Sequence, residues 1–230
     1  MKIALFDIDG TLVWSHGAGR RAMKRALTEA TGGAGPSDHR YDGKTDRQIV
    51  REALRHDGLA ESEIDACMEA VIERYVAELT VELDRHDHGA VALPGVPELL
   101  HAIEARGDML LGLLTGNVVA GAEWKLRAVG IDPGRFKIGA FGSDHETRNE
   151  LAAIACSRAS LHLGVSVPGH ACVVIGDTPS DVACARPIGA RAIAVATGSF
   201  DIDALRACEP EAVFADLRDT DAVLHAIAHA

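Results

Sequence analysis

The chain has 230 residues, 47% of them apolar and 25% charged, with a formal net charge of −11, a length that suits one sizeable core domain carrying an insertion or two modest domains. That charge disfavours nucleic acid or an anionic membrane as a partner, since both need clustered cations, and no apolar run reaches the ~18 residues of a membrane span. With no signal-like start and five widely spaced cysteines that form no Cys-x-x-Cys pair, a cytoplasmic protein with free thiols is expected.

The first predicted element is the strand "IALFDID" at 3 to 9. Side chains alternate across a strand, so Asp7 and Asp9 would share a face while Ile8 points away. Two carboxylates held together are costly unless a proton, a cation or a charged substrate lies between them. From about Val13 to His88 the pattern is helical, with helices expected over 18–30, 46–56 and 62–85. The basic run "RRAMKR" (20–25) reads as a solvated helix face, and "HDH" (86–88) as a polar hinge, because no third ligand has suitable spacing.

Beyond residue 88 the rhythm changes. Strand patterns at 109–116, 171–178 and 191–198, with weaker ones at 136–143 and 212–217, alternate with helical patterns at 97–106, 118–129, 150–163 and 179–189. This predicts an α/β fold: a Rossmann-like parallel sheet core with helices on both faces, built from 1–13 and 89–230, plus an inserted all-helical unit at 14–88.

Ligands of such sheets bind beyond the carboxyl ends of the strands. Three polar motifs sit there: Asp7 and Asp9; "TGN" (Thr115, Gly116, Asn117); and "GDTPSD" (Gly176 to Asp181). Each has a bland reading, as a turn, a helix cap or a first-turn acid. Thr178 and Pro179 read as an N-cap and first helical residue, which places Asp177 and Asp181 toward one pocket. Convergent acids without His or Cys suit a hard cation such as Mg²⁺, and Thr115 with the Gly116 and Asn117 amides would cradle a phosphate.

With "DIDGT", "LLTGN" and "GDTPSD" in this order at strand ends, the sequence resembles the haloacid dehalogenase-like hydrolase superfamily, in particular its phosphoglycolate phosphatase-like group with a helical cap. The resemblance implies that Asp7 is the nucleophile and Asp9 the general acid/base. It also implies that Asp7, the Asp9 carbonyl and Asp177 hold Mg²⁺, with Asp181 supporting the acidic cluster. The family's third motif is usually a lysine; here "FGSDHETRNEL" (141–151) offers Arg148, with Arg158 as the alternative. A guanidinium there would neutralise nucleophile and phosphate.

The implied reaction is hydrolysis of a small phosphorylated metabolite through an aspartyl-phosphate. The rivals are a phosphomutase of the same superfamily, which keeps water from the phospho-aspartate, and a non-catalytic phospho-accepting switch. In capped relatives a loop like "YDGKTDRQI" (41–49) reaches the site, so Gly43, Lys44 and Thr45 are candidate substrate contacts. His16 and Arg20 are weaker candidates for the same wall. Trp14 is expected to pack between core and cap, and Gly17, Gly19, Gly89 and Gly95 are candidate hinges.

Overall fold

Ile3, Ala4, Leu5 and Phe6 are all fully buried, as a strand covered on both faces requires. The computed structural model describes residues 1–230. The chain begins with β1 (Lys2–Phe6) and β2 (Val13–Trp14), then runs through α1 (Ala18–Thr31), α2 (Asp46–His56) and α3 (Glu61–Asp84). It continues with β3 (Val91–Ala92), α4 (Val96–Glu104), β4 (Met109–Leu114), α5 (Val119–Ala128), β5 (Ile138–Ala140) and α6 (Leu151–Leu163). The remaining elements are β6 (Cys172–Gly176), α7 (Pro179–Ala185), β7 (Arg191–Val195), α8 (Ile202–Arg206), β8 (Ala212–Phe214) and α9 (Thr220–His229).

Six strands form one parallel sheet in the order β5-β4-β1-β6-β7-β8, with β1 between β4 and β6. Side-chain alternation divides the core. Ala4 and Phe6 pack with Leu99, Leu126, Val173 and Val223 on one face; Ile3 and Leu5 pack with Leu151, Ala155, Val174 and Val182 on the other. The two weakly patterned segments supply the edge strands β5 and β8. The first strand is shorter than the expected 3 to 9 and ends at Phe6. The β2–β3 ribbon, which pairs Val13 with Ala92 and Trp14 with Val91, has two residues per strand, too few to show alternation in a sequence. All five cysteines are free, and no helix is long and apolar enough to cross a membrane.

Between β2 and β3 the three helices bury an apolar cluster of their own, including Met23, Leu27, Ile49, Leu54, Met68, Tyr75 and Leu79. The basic run of α1 is less solvated than expected: Arg21 and Arg25 ion-pair with Glu82, and Arg25 also with Glu78, on α3. Both crossings into the helical unit bend through left-handed backbone, at His16 (φ +48°) and Gly17 (φ +78°), and at Gly89 (φ +69°). Two of the candidate hinge glycines do something else. Gly19 lies inside α1, where a Cβ would come 3.3 Å from Lys125 Nζ, and Gly95 is wedged against backbone, with a Cβ position 2.1 Å from the Leu217 carbonyl carbon.

Gly95 and Gly32 both have positive φ, but a Cβ at Gly32 would meet no atom within 4 Å. Gly32→Ala should therefore cost only the left-handed strain of ~1 kcal/mol, and Gly95→Ala at least about twice that, because backbone must move as well. Urea denaturation of the two variants measures the difference; equal losses would show that the Leu217 contact is not tight.

Candidate functional site

The turn after β1 separates the two acids of "DIDGT". The Ile8 carbonyl accepts hydrogen bonds from the Thr11, Leu12 and Val13 amides at 3.3, 2.9 and 2.8 Å, and Gly10 takes φ +78°. Asp9 thus leaves the strand direction. Asp7, buried, lies 3.0 Å from Arg148 Nη2, whereas Asp9 Oδ2 accepts from Asn117 Nδ2 at 2.8 Å and from Lys125 Nζ at 2.6 Å. The two carboxylates share a cavity but not a set of partners, contrary to the simple alternation expected from a longer strand.

Around Asp7 the strand ends gather three buried carboxylates. One oxygen each from Asp7, Asp177 and Asp181 lies within 4.8 Å of the others. Burial pushes Asp7 up to about 6, against the lowering pull of Arg148 and with further raising from Asp181 and Asp9. Burial, then Asp181 and Asp7, also hold Asp177 well above the usual carboxylate range. A cation placed among these oxygens would remove that penalty. The donors are all oxygen, which fits a hard divalent ion.

Room for this cluster comes from missing side chains. A Cβ at Gly10 or Gly198 would sit 2.4 or 1.7 Å from Asp177 Oδ2. Asp181 is the more committed acid. Its Oδ2 accepts from the Thr178 amide at 3.0 Å and the Thr178 hydroxyl at 2.7 Å, completing a capping box on α7, while its Oδ1 accepts from Arg148. Asp7 and Asp177 therefore keep more of their oxygen lone pairs for a cation.

Arg148 opens a short 3₁₀ turn before α6 and is buried. Its Nε–H is buried without any hydrogen-bond acceptor, an orphaned donor that an anion would satisfy. Arg158 points elsewhere, paired with Asp144 at 2.6 Å. Thr115 and Asn117 are buried, and Thr115 Oγ1 accepts from Asn117 Nδ2 at 2.8 Å. The Ile8, Asp9 and Gly116 amides make no hydrogen bond within the protein, so they too are free for an anion.

The loop before α2 closes over this end of the sheet. Asp46 N–H donates to the Gly116 carbonyl at 2.8 Å, its Oδ2 accepts from the Val118 amide at 2.8 Å, and Thr45 Oγ1 donates to the Glu146 carbonyl at 2.7 Å. Gly43 (φ +72°) brings the backbone onto Ser180 and Thr178. The Lys44 side chain lines the cavity but its ammonium is engaged by Glu52, so its charge is already compensated. Trp14 is 39% exposed and lines the same cavity rather than sealing the seam between sheet and helices. The cavity measures ≈ 360 Å³ and is bounded by Asp7, Asp9, Gly116, Asn117, Arg148 and Asp177 at its floor, and by α1, the 41–46 loop and Tyr75 above, a volume in the range of small-ligand sites.

Lys125 is absent from the sequence-based candidates. It is 4% exposed, donates to Asn117 Oδ1 at 2.6 Å as well as to Asp9, and keeps its proton because Asp9 and Asp46 outweigh the burial that acts against its charge. The signal was its place on the buried stripe Gly121, Ala122, Lys125 and Leu126 of α5, where helical periodicity calls for an apolar residue. Asp46 read as a plain helix-start acid. In the structure, burial drives it up to about 6 against the opposing pull of Lys125 and the Val118 amide.

A family model described as haloacid dehalogenase-like hydrolase matches residues 4–186. Among curated proteins, phosphoglycolate phosphatase of Rhodospirillum rubrum is 28% identical over 204 residues, covering 86% of this chain and 80% of its own length. Probable phosphatase IndB of Dickeya dadantii is 27% identical over 227 residues, covering 98% and 94%. Among solved structures, a hydrolase from Pseudomonas syringae superposes with a TM-score of 0.75 at 23% identity over 98% of both chains, which supports the fold.

Two outcomes follow from the electrostatics. Divalent cation at ~100 times its Kd should stabilise the protein by about 2.7 kcal/mol, and thermal melts of Asp177→Asn should lose that shift; a full shift in the variant would remove Asp177 from the ligand set. Asp46 has a folded value of about 6 against 3.8 when free, so its contribution to stability is complete below pH ~4 and is lost as pH rises through ~6. Relative to Asp46→Asn, the native protein should lose roughly 2–3 kcal/mol over that window, measured by denaturation at each pH.

Proposed function

The chain belongs to the haloacid dehalogenase-like hydrolase family, and on that premise we propose that it is an Mg²⁺-dependent phosphatase that hydrolyses a small phosphate monoester through an aspartyl-phosphate on Asp7. The observation that carries this reading is the separation of the two acids: Asp7 buried beside Arg148, and Asp9 with its side chain 43% exposed and tethered to Lys125 and Asn117. One acid is placed to attack; the other has access to a leaving group and to water. Phosphatase relatives at 27–28% identity across most of the chain support it.

The obstacle to the reaction is charge, because a carboxylate must approach a phosphate dianion. Mg²⁺, held by Asp7 and Asp177 with the Asp9 carbonyl, would supply positive charge for the nucleophile and the phosphate oxygens. Arg148 offsets further repulsion with its unpaired Nε–H and its Nη2 beside Asp7. The Ile8, Asp9 and Gly116 amides bind the phosphoryl oxygens, next to Thr115 and Asn117.

In the first step an Asp7 carboxylate oxygen bonds to phosphorus. The bond from phosphorus to the ester oxygen breaks, and Asp9, entering the step as the carboxylic acid with its proton on the Oδ1 that neither Lys125 nor Asn117 engages, gives that proton to the departing alkoxide. In the second, Asp9 takes a proton from water, the water oxygen bonds to phosphorus as the bond from phosphorus to the Asp7 oxygen breaks, and inorganic phosphate leaves with the Asp7 carboxylate restored. Lys125 and Asn117 hold Asp9 in place through both steps. The helical unit, residues 14–88, acts as a cap on a core of 1–13 and 89–230, and its seating excludes bulk water during phosphoryl transfer.

The test is phosphate release from a panel of small monoesters with and without Mg²⁺. Asp7→Asn should reduce turnover by on the order of a thousandfold or more while the melting temperature stays near native; turnover at the native level in that variant would overturn the assignment. A rearranged sugar phosphate in place of free phosphate would identify a mutase instead.

A further inference from the structure

Arg51 on α2 is surrounded by three carboxylates. Its Nη1 lies 2.9 Å from Glu61 and its Nη2 2.8 Å from Asp65, both on α3, so acids of the helical unit already neutralise it. Its Nε–H nevertheless points out of that unit to Glu146 on the core, 2.7 and 2.9 Å from the two carboxylate oxygens. The two side chains are only 21% and 28% exposed, which shields this pair more than an ordinary surface ion pair. Thr45 adds a second contact with the same residue. It is fully buried at the N-cap of α2, accepts from the Gln48 amide at 3.1 Å, and donates its hydroxyl proton to the Glu146 carbonyl at 2.7 Å.

Glu146 stands two residues before Arg148, at most ~7 Å along the backbone. The chain on either side is anchored to the core. Asp144 pairs with Arg158 at 2.6 Å and accepts from the Phe141 amide at 2.9 Å, while the Arg148 carbonyl accepts from Cys184 Sγ at 3.1 Å. Residues 145–147 have no such anchor. Within the core they bond only to one another and to the Glu150 amide, and every other hydrogen bond they make goes to Thr45 or Arg51. The segment that leads into Arg148 is therefore fixed by the helical unit. Thr45, Arg51 and Glu146 do not line the cavity, so their influence on it has to pass along the backbone.

We infer that Arg51 and Thr45 are positioning residues for Arg148: by holding Glu146 they fix the segment that sets where the guanidinium presents its unpaired Nε–H to a phosphoryl oxygen. The inference rests on the reading of Arg148 as a phosphate ligand and deepens it, because phosphate affinity then depends on a helix face that does not touch phosphate. A hydrogen bond to an oxyanion is directional. A guanidinium already shared between Asp7 and Asp181 loses that direction if its backbone shifts by about 1 Å. The alternative is that the Arg51–Glu146 pair only fastens the helices to the core, and in that case its loss would weaken the site whatever stands at position 148.

Binding of inorganic phosphate to the full chain with Mg²⁺, followed by calorimetry, separates the two without needing turnover. Arg51→Gln and Glu146→Gln should each weaken binding roughly threefold to tenfold, part of the tenfold or more that a lost charge-assisted hydrogen bond costs. Glu61→Gln removes a partner of Arg51 inside the helical unit and leaves Glu146 paired, so it should bind phosphate as the native protein does. Arg148→Lys keeps a cation but lacks the guanidinium Nε–H and should itself bind more weakly. In that background, adding Arg51→Gln should change affinity by less than about twofold, because residues acting through one another are non-additive. The exchanged pair, Arg51→Glu with Glu146→Arg, restores an ion pair between the same positions and should recover most of the native affinity.

Native affinity in both Arg51→Gln and Glu146→Gln overturns the inference. So does native affinity in Arg148→Lys, a loss in Arg51→Gln that persists undiminished in the Arg148→Lys background, or an equal loss in Glu61→Gln. Phosphate release from monoesters, measured in parallel, keeps this inference apart from the reading it rests on. Release combined with a phosphate affinity indifferent to Arg51 and Glu146 counts against the positioning role alone. Absence of release from every monoester counts against the phosphatase reading, while the phosphate titrations still decide whether Arg51 acts through Arg148.

Discussion

Three buried carboxylates with oxygens within 4.8 Å of one another, and one guanidinium paired with two of them, set the terms for the rest of the structure. Like charges in a low-dielectric setting raise one another's proton affinity, and here both Asp7 and Asp177 are displaced upward. The fold accepts this cost at one place, where β1 and β6 end side by side. Glycines at 10 and 198 leave space around Asp177, and Gly176, where a Cβ would sit 2.1 Å from the Asp181 carboxyl carbon, leaves space around Asp181. The cluster is thus packed close against backbone, and a divalent cation placed among its oxygens would offset the crowding of negative charge.

A second buried charge group balances the first. Lys125 sits between Asp9, which belongs to the turn after β1, and Asp46, which belongs to the helical unit. Its proton is held by acids from both parts of the chain, so the seating of the helices on the sheet is coupled to the orientation of Asp9. The backbone reinforces the coupling. Asp46 N–H reaches the Gly116 carbonyl, and a Cβ on Gly116 would come 2.1 Å from the Lys44 carbonyl oxygen. The Thr115–Asn117 loop and the 41–46 loop are therefore one packed unit in this conformation.

Charge accounting around the cavity then distinguishes residues that sequence alone treats as equivalent. Arg20, Arg21 and Arg25 share one short basic run, yet two are neutralised by α3 and one is not. Lys44 and Lys125 are both lysines near acids; one is held by Glu52 at the rim and the other is buried at the floor. These distinctions come from which helix face meets which neighbour.

What the sequence determined by itself was whatever depends on short-range order. Apolar runs bounded by turn residues marked all six sheet strands, helical periodicity marked α1 to α7, and Thr178-Pro179 marked the start of α7 as an N-cap and first-turn proline. The polar motifs at strand ends marked Asp7, Asp9, Thr115, Gly116, Asn117, Asp177 and Asp181 as one neighbourhood, because parallel topology brings strand ends together, and the family resemblance added Arg148. Only the tertiary structure decided how those residues divide: Asp7 toward Arg148, Asp9 toward Lys125, and Asp181 to its own helix cap. It also decided that Lys44 is compensated while Arg20 is not, and that Gly95 is a packing contact and not a hinge. The reason is that such partners are distant in the chain, Lys125 and Asp9 being 116 residues apart, and a side chain's charge state and access depend on what packs against it, which local pattern does not encode.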